Sequence, residues 1–135
     1  MPRLVLLVTF VALAVPATTA AAGSSVPGYY GCLRSKPVVR PSSIVVACAD
    51  AGFELVRLHW SKWTGTGARA TGTASVNDCT PYCAAGHFHS YPVNVGLSRL
   101  RTCKNGKRVF TKLAWTYTGK RPQGAARQGS ELYSC

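Results

Sequence analysis

Acidic side chains are scarce: Asp50, Glu54, Asp78 and Glu131 are the only 4 carboxylates in 135 residues, against 16 lysines and arginines. That supply leaves little for the carboxylate pair that glycoside hydrolysis requires. Asp50 and Asp78 each lie close to a cysteine, where capping a turn is the simpler role. Other catalytic signatures are missing too. There is no Gly-x-Ser-x-Gly elbow for a nucleophilic serine and no His-Glu-x-x-His pair of zinc ligands. The chain has no internal repeat and no helical stripe longer than a couple of turns. Beyond Val15 no apolar run approaches the roughly 20 residues needed to cross a bilayer. These absences argue against a transmembrane segment and against the common hydrolase designs, and no cofactor is expected.

The N-terminus reads as a secretory leader. Arg3 precedes the apolar run Leu4 to Val15, which Pro16 breaks before the small residues Ala20-Ala21-Ala22. The run is too short to span a membrane, and the Ala-x-Ala site predicts cleavage after Ala22. A lipid-anchored leader would carry a cysteine at the cleavage point, whereas the first cysteine is Cys32. The expected mature chain is therefore secreted and extracellular. Removing 22 of 135 residues leaves 113, enough for one small domain. The leader carries Arg3 alone, so 15 basic and 4 acidic side chains remain, a formal charge of +11. Such an excess favours an anionic polymer or surface as partner.

Six cysteines, Cys32, Cys48, Cys79, Cys83, Cys103 and Cys135, all follow the leader. An even count in an exported domain of this size implies disulfides. Of the 15 possible connectivities, local order suggests Cys32 with Cys48, Cys79 with Cys83, and Cys103 with Cys135. The last would hold down the irregular-looking stretch 119–131 and stabilise by roughly 3 to 4 kcal/mol.

Short strands with glycine-rich turns predict an all-β fold, a small disulfide-stapled β-sandwich or barrel. Ser43 to Cys48 is β-branched. Glu54 to Trp60 alternates Val56, Leu58 and Trp60 against Leu55, Arg57 and His59; Ala68 to Asn77 alternates small residues against Arg69, Thr71, Thr73 and Ser75. Of Trp60 and Trp63, the first is expected in the core. The domain is expected over residues 32–120, after a flexible arm at 23–31 and before a tail at 121–135 tied back by a disulfide.

Asn105-Gly106 predicts a type I′ hairpin. A two-residue turn would set Cys103 opposite Arg108, Arg101 opposite Phe110, Arg99 opposite Lys112 and Leu97 opposite Ala114. One face would then carry Arg99, Arg101, Arg108 and Lys112 around an exposed Phe110, with Leu100, Val109, Leu113, Trp115 and Tyr117 turned to the core. Like charges directly opposite destabilise a sheet, so this face is the expected anion-binding site. With a single stacking aromatic on it, no specific nucleic acid is predicted. The oligomeric state is not legible.

Residues 77–89, Asn-Asp-Cys-Thr-Pro-Tyr-Cys-Ala-Ala-Gly-His-Phe-His, admit two further readings. Cys79, Cys83, His87 and His89 have spacing suited to zinc or copper, but exported cysteines this close oxidise to a bridge, and Pro81 suits the tight ring. His87 and His89 alternate around Phe88, so on a strand both imidazoles share a face. Paired histidines of this kind serve the acid and base of a secreted phosphodiesterase or ribonuclease-like enzyme. Non-enzymatic contact with anionic envelope or extracellular material is the leading expectation, and no catalytic or metal-ligating residue is assigned.

Residues 41–50, the segment Leu58-His59-Trp60-Ser61-Lys62-Trp63, the Asn77-Asp78-Cys79-Thr80-Pro81-Tyr82-Cys83-Ala84-Ala85-Gly86 stretch and Tyr91-Pro92-Val93 resemble a group of small exported actinomycete proteins. The resemblance runs from about Cys32 to Lys120. It implies a secreted β-rich domain with paired cysteines and carries over no catalytic residue. Where that group often has Cys-Gly-Asp-Gly, this chain has Cys48-Ala49-Asp50-Ala51.

Overall fold

The computed structural model describes residues 26–32 and 34–135. The expected leader lies outside the described residues. Six strands follow one another: β1 (Ile44–Val45), β2 (Phe53–Trp63), β3 (Ala68–Asn77), β4 (Phe88–Thr102), β5 (Arg108–Tyr117) and β6 (Gln128–Leu132), with a 3₁₀ turn at Cys83–Ala85. They form an antiparallel meander in the order β1-β2-β3-β4-β5-β6. The fold is all-β, as expected. No helix among the described residues is long and apolar enough to cross a membrane.

The core comes from the period-two alternation of the three central strands. Ala68 and Ala70 of β3 sit opposite Leu97 and Val95 of β4, which in turn oppose Leu113 and Trp115 of β5. Small residues thus face large ones across the curled sheet, which suits close packing of its interior. Leu55, Ala74, Val93 and Leu113 are almost wholly buried. The intervening residues Arg69, Thr71, Asn94, Lys112 and Thr116 form the outer face, partly or fully exposed.

The sheet curls toward a barrel because the segment before β2 lies across the gap between its edges. Gly28 exchanges hydrogen bonds with β5: its N–H donates to Arg108 O (3.0 Å), and its carbonyl accepts from Phe110 N (2.9 Å). Tyr29 pairs with Val38, and Ser42 O accepts from Leu58 N of β2. Two indole N–H groups fasten the same segment, Trp63 to Pro27 O (2.8 Å) and Trp60 to Pro41 O (2.7 Å). The expected flexible arm is thus built in over its described part: Tyr29 is 1% exposed. It is held because it completes the backbone pairing of β5, which sequence periodicity in so short a piece does not reveal. Trp63, not Trp60, is the more deeply buried of the pair, with its ring edge-on to Phe110.

Two arginines interrupt the alternation. Arg57 has φ 51° and Arg99 φ 57°, and both mark irregularities at which a strand changes the face it presents. At Arg57 the β2–β3 register shifts, so Leu55 and Leu58, three residues apart, are both buried. The expected Val56, Leu58, Trp60 stripe is broken there.

All three expected disulfides form: Cys32–Cys48, Cys79–Cys83 and Cys103–Cys135. The tail is less irregular than expected, since β6 adds to β5 from Lys112↔Leu132 to Thr116↔Gln128. Backbone pairing, not side-chain pattern, places this mostly exposed strand, Gln-Gly-Ser-Glu-Leu.

Candidate functional site

The β4–β5 hairpin is closed by three residues, Lys104-Asn105-Gly106, instead of two. Cys103 N donates to Lys107 O (2.8 Å) and Gly106 N to Cys103 O (2.9 Å). Gly106 alone of the three takes a positive φ, 76°, the pattern of a type I turn followed by a G1 bulge. Asn105 Oδ1 accepts from Lys107 N (3.0 Å), and its amide donates to Tyr30 Oη (3.1 Å).

This one-residue difference moves every pairing below the turn. Arg101 faces Val109, Arg108 faces Thr102, and Lys112 faces Ser98. Arg99 occupies the kinked position between the Ser98↔Lys112 and Leu100↔Phe110 pairs, with its carbonyl accepting from Thr111 Oγ1 (2.8 Å). Phe110 is 1% exposed and belongs to the core. It is no stacking platform. The four cations expected on one face are therefore dispersed: Arg108 reaches the β2–β3 turn beside Gly65, and Lys112 lies over the middle of the sheet.

What the fold does bring together is a different set. Arg99, Arg101 and Lys104 line a depression of about 380 Å³ beside Tyr133 and the Cys103–Cys135 bridge. Lys104 also borders an adjoining depression of about 350 Å³ lined by Arg34, Tyr30 and Asn105. Arg34 arrives from the N-terminal crossover, so hairpin register alone could not have found it. Lys104 belongs to the turn itself, where the sequence pattern of the flanking strands assigns it to no face. Among the described residues no lysine or arginine lies within 4.0 Å of a carboxylate.

At the other end of the meander, residues 77–89 form a tight loop organised by Asn77 and Asp78. Asn77 Oδ1 accepts from Cys79 N (2.9 Å), and its amide donates to Cys83 O (2.8 Å). Asp78 Oδ1 accepts from Thr80 N (3.0 Å) and His87 N (2.9 Å), the turn-capping role expected of it, and Oδ2 meets His89 Nε2 at 2.8 Å. The backbone N–H of His87, then the His89 ring, then Thr80 N–H hold the Asp78 carboxyl well below the usual carboxylate range. Cys79 and Cys83 are joined, so neither sulfur is available as a thiolate ligand. Among the described residues no group of three or more His, Cys, Asp or Glu is placed to hold a metal ion. His87 precedes β4 and makes no side-chain hydrogen bond, while His89, on the strand, is engaged by Asp78. The Asp78–His89 contact was not anticipated; its signal lies in the hairpin register, which sets Val76 opposite His89, two residues before Asp78. Tyr82 and Phe88 stand exposed beside this loop.

The chain matches no protein-family model, no curated protein and no solved structure.

Proposed function

We propose that this is an exported, non-enzymatic domain that binds anionic polymers or surfaces outside the cell through the cluster Arg34, Arg99, Arg101 and Lys104. The observation that carries the reading is the concentration of these four cations around one disulfide, with no carboxylate oxygen within 4.0 Å of any of them among the described residues. Three disulfides in a domain of this size fit an oxidising compartment. Arginine forks suit the bidentate geometry of phosphate, sulfate or carboxylate. Arg108 and Lys112 add to the field without lining the depressions.

The test is a binding titration with heparin and with poly(glycerol phosphate) at increasing salt. Affinity falling with ionic strength is expected, with a joint Arg99→Ala, Arg101→Ala, Lys104→Ala variant weakening it at least tenfold. No retention at low ionic strength overturns the reading.

A second reading, phosphodiester cleavage by His87 and His89, draws on one observation: a carboxylate orients the exposed His89 ring as in acid–base dyads. Incubating the protein with RNA decides it. Cleavage that persists in His89→Ala and His87→Ala rejects it.

A further inference from the structure

An open trough of about 660 Å³ lies on the outer face of β2 to β5, away from both clusters above. Its floor is low because Gly96 of β4 and Ala114 of β5 lie side by side in register. Along one side runs a row of polar side chains, Thr71, Asn94 and Thr116, in direct register across three strands. Neighbouring strands are about 4.8 Å apart, so the row presents hydroxyl, amide and hydroxyl over about 10 Å. Among the described residues none of the three side chains finds a hydrogen-bond partner, in contrast to Thr73, which accepts from Arg57.

At the β2 rim stand Lys62 and Arg69, directly opposite each other and both exposed. Like charges so placed destabilise a strand pair, and among the described residues no carboxylate oxygen lies within 4.0 Å of either. The like-charge pair expected between Arg99 and Lys112 does not form, since Lys112 faces Ser98; a different one, Lys62 opposite Arg69, stands between β2 and β3.

We propose that this trough is a second binding site, for a linear hydroxylated chain carrying phosphate groups: a polyol- or sugar-phosphate polymer. Lys62 and Arg69 take a phosphate, the arginine through its paired N–H groups. Thr71, Asn94 and Thr116 exchange hydrogen bonds with the hydroxyls of the repeat, each able both to donate and to accept. A nucleic-acid strand fits less well. The trough has no free stacking platform, because the one aromatic lining it, Trp115, is half-buried and packed edge-on against Phe53, with centroids 5.1 Å apart.

Gly96 supplies a clean block. A Cβ added there meets only Ala68 O, at 3.9 Å, an ordinary contact, so the backbone accepts a side chain at this position and Gly96→Leu is the variant that fills the floor. The experiment is a titration of the disulfide-bonded protein with oligo(glycerol phosphate), read by amide NMR shifts. Expected are saturable shifts at Thr71, Asn94, Gly96 and Thr116, and a loss of affinity at this site of at least tenfold in Gly96→Leu and severalfold in Asn94→Ala, whose exposed side chain folding does not need. Arg69→Gln should lose as much as Gly96→Leu, and the joint Arg99, Arg101, Lys104 variant should leave these shifts in place, separating this site from the bridge cluster. The proposal is overturned if shifts are confined to residues around Cys103–Cys135. Unchanged affinity in both Gly96→Leu and Asn94→Ala overturns it too. So does equal saturation of the same amides by a neutral dextran oligomer, by inorganic polyphosphate or by oligouridylate.

Discussion

Asp78 accepts hydrogen bonds from the backbones of His87 and Thr80 and meets the ring of His89, so one carboxylate joins the last turn of β3 to the start of β4. All these contacts favour the ionised form, and they depress its pKa in the folded state. A depressed acid contributes order at pH above its unfolded value, about 3.9, and loses it as pH falls below that value toward the folded one. The carboxyl-carbon NMR signal of Asp78 is expected to show its own titration midpoint well below the ordinary Asp value of about 3.9. A midpoint at the ordinary Asp value would show that these contacts are absent in solution. Tyr29 and Tyr133 present the opposite case. Their rings meet edge-to-face at 5.5 Å, and among the described residues neither buried hydroxyl oxygen has a partner in hydrogen-bond geometry; burial first, then for Tyr29 the neighbouring Tyr133 hydroxyl, pushes the pKa of both upward, Tyr29 furthest. Replacing two buried hydroxyls by hydrogen is close to neutral or stabilising. The joint Tyr29→Phe, Tyr133→Phe variant should therefore match or exceed the parent in urea denaturation; a loss above about 1 kcal/mol would show that the hydroxyls bond to each other.

The strands show what alternation can and cannot disclose. β3 was read at its observed ends, Ala68–Asn77, because nothing interrupts its period of two. β2 was not, because the face change at Arg57 depends on its partner strand: Gly72 leaves room for the bulge, and a Cβ there would stand 2.7 Å from Leu58 Cδ2 and 2.9 Å from Val56 O. Gly72→Ala should accordingly cost about 1–3 kcal/mol through forced displacement, measurable as a lower urea midpoint; an unchanged midpoint would mean that β2 has slack at this point. The hairpin was legible from Asn105-Gly106, yet its register was not, since the same dipeptide serves a two-residue turn and a three-residue G1 loop. That ambiguity of one residue decided the site. It separated Arg108 and Lys112 from Arg99 and Arg101 and put Phe110 in the core. Lys62 opposite Arg69 was hidden for the same reason, being set by the register shift between Trp60 and Lys62.

For the molecule as a whole, the disulfides differ in what they hold. Cys79–Cys83 spans 4 positions and Cys103–Cys135 spans 32, so chain entropy assigns about 2 kcal/mol to the first and about 3–4 kcal/mol to the second. The longer bridge also does local work. Arg34, Arg99, Arg101 and Lys104 come from the N-terminal crossover, the kink of β4 and the hairpin turn, and what they share is the Cys103–Cys135 bridge at the centre of their two depressions. Stability and the proposed anion binding are therefore coupled through one bond. Converting Cys103 and Cys135 to Ser should lower the denaturation free energy by about 3–4 kcal/mol, release β6 from β5, and weaken heparin binding under conditions where the chain is still folded. Converting Cys79 and Cys83 to Ser should cost about half as much and leave heparin binding intact, because that loop lies at the far end of the meander. Equal loss of binding in the two serine variants would mean that net charge alone, and not the geometry around the longer bridge, recruits the polymer.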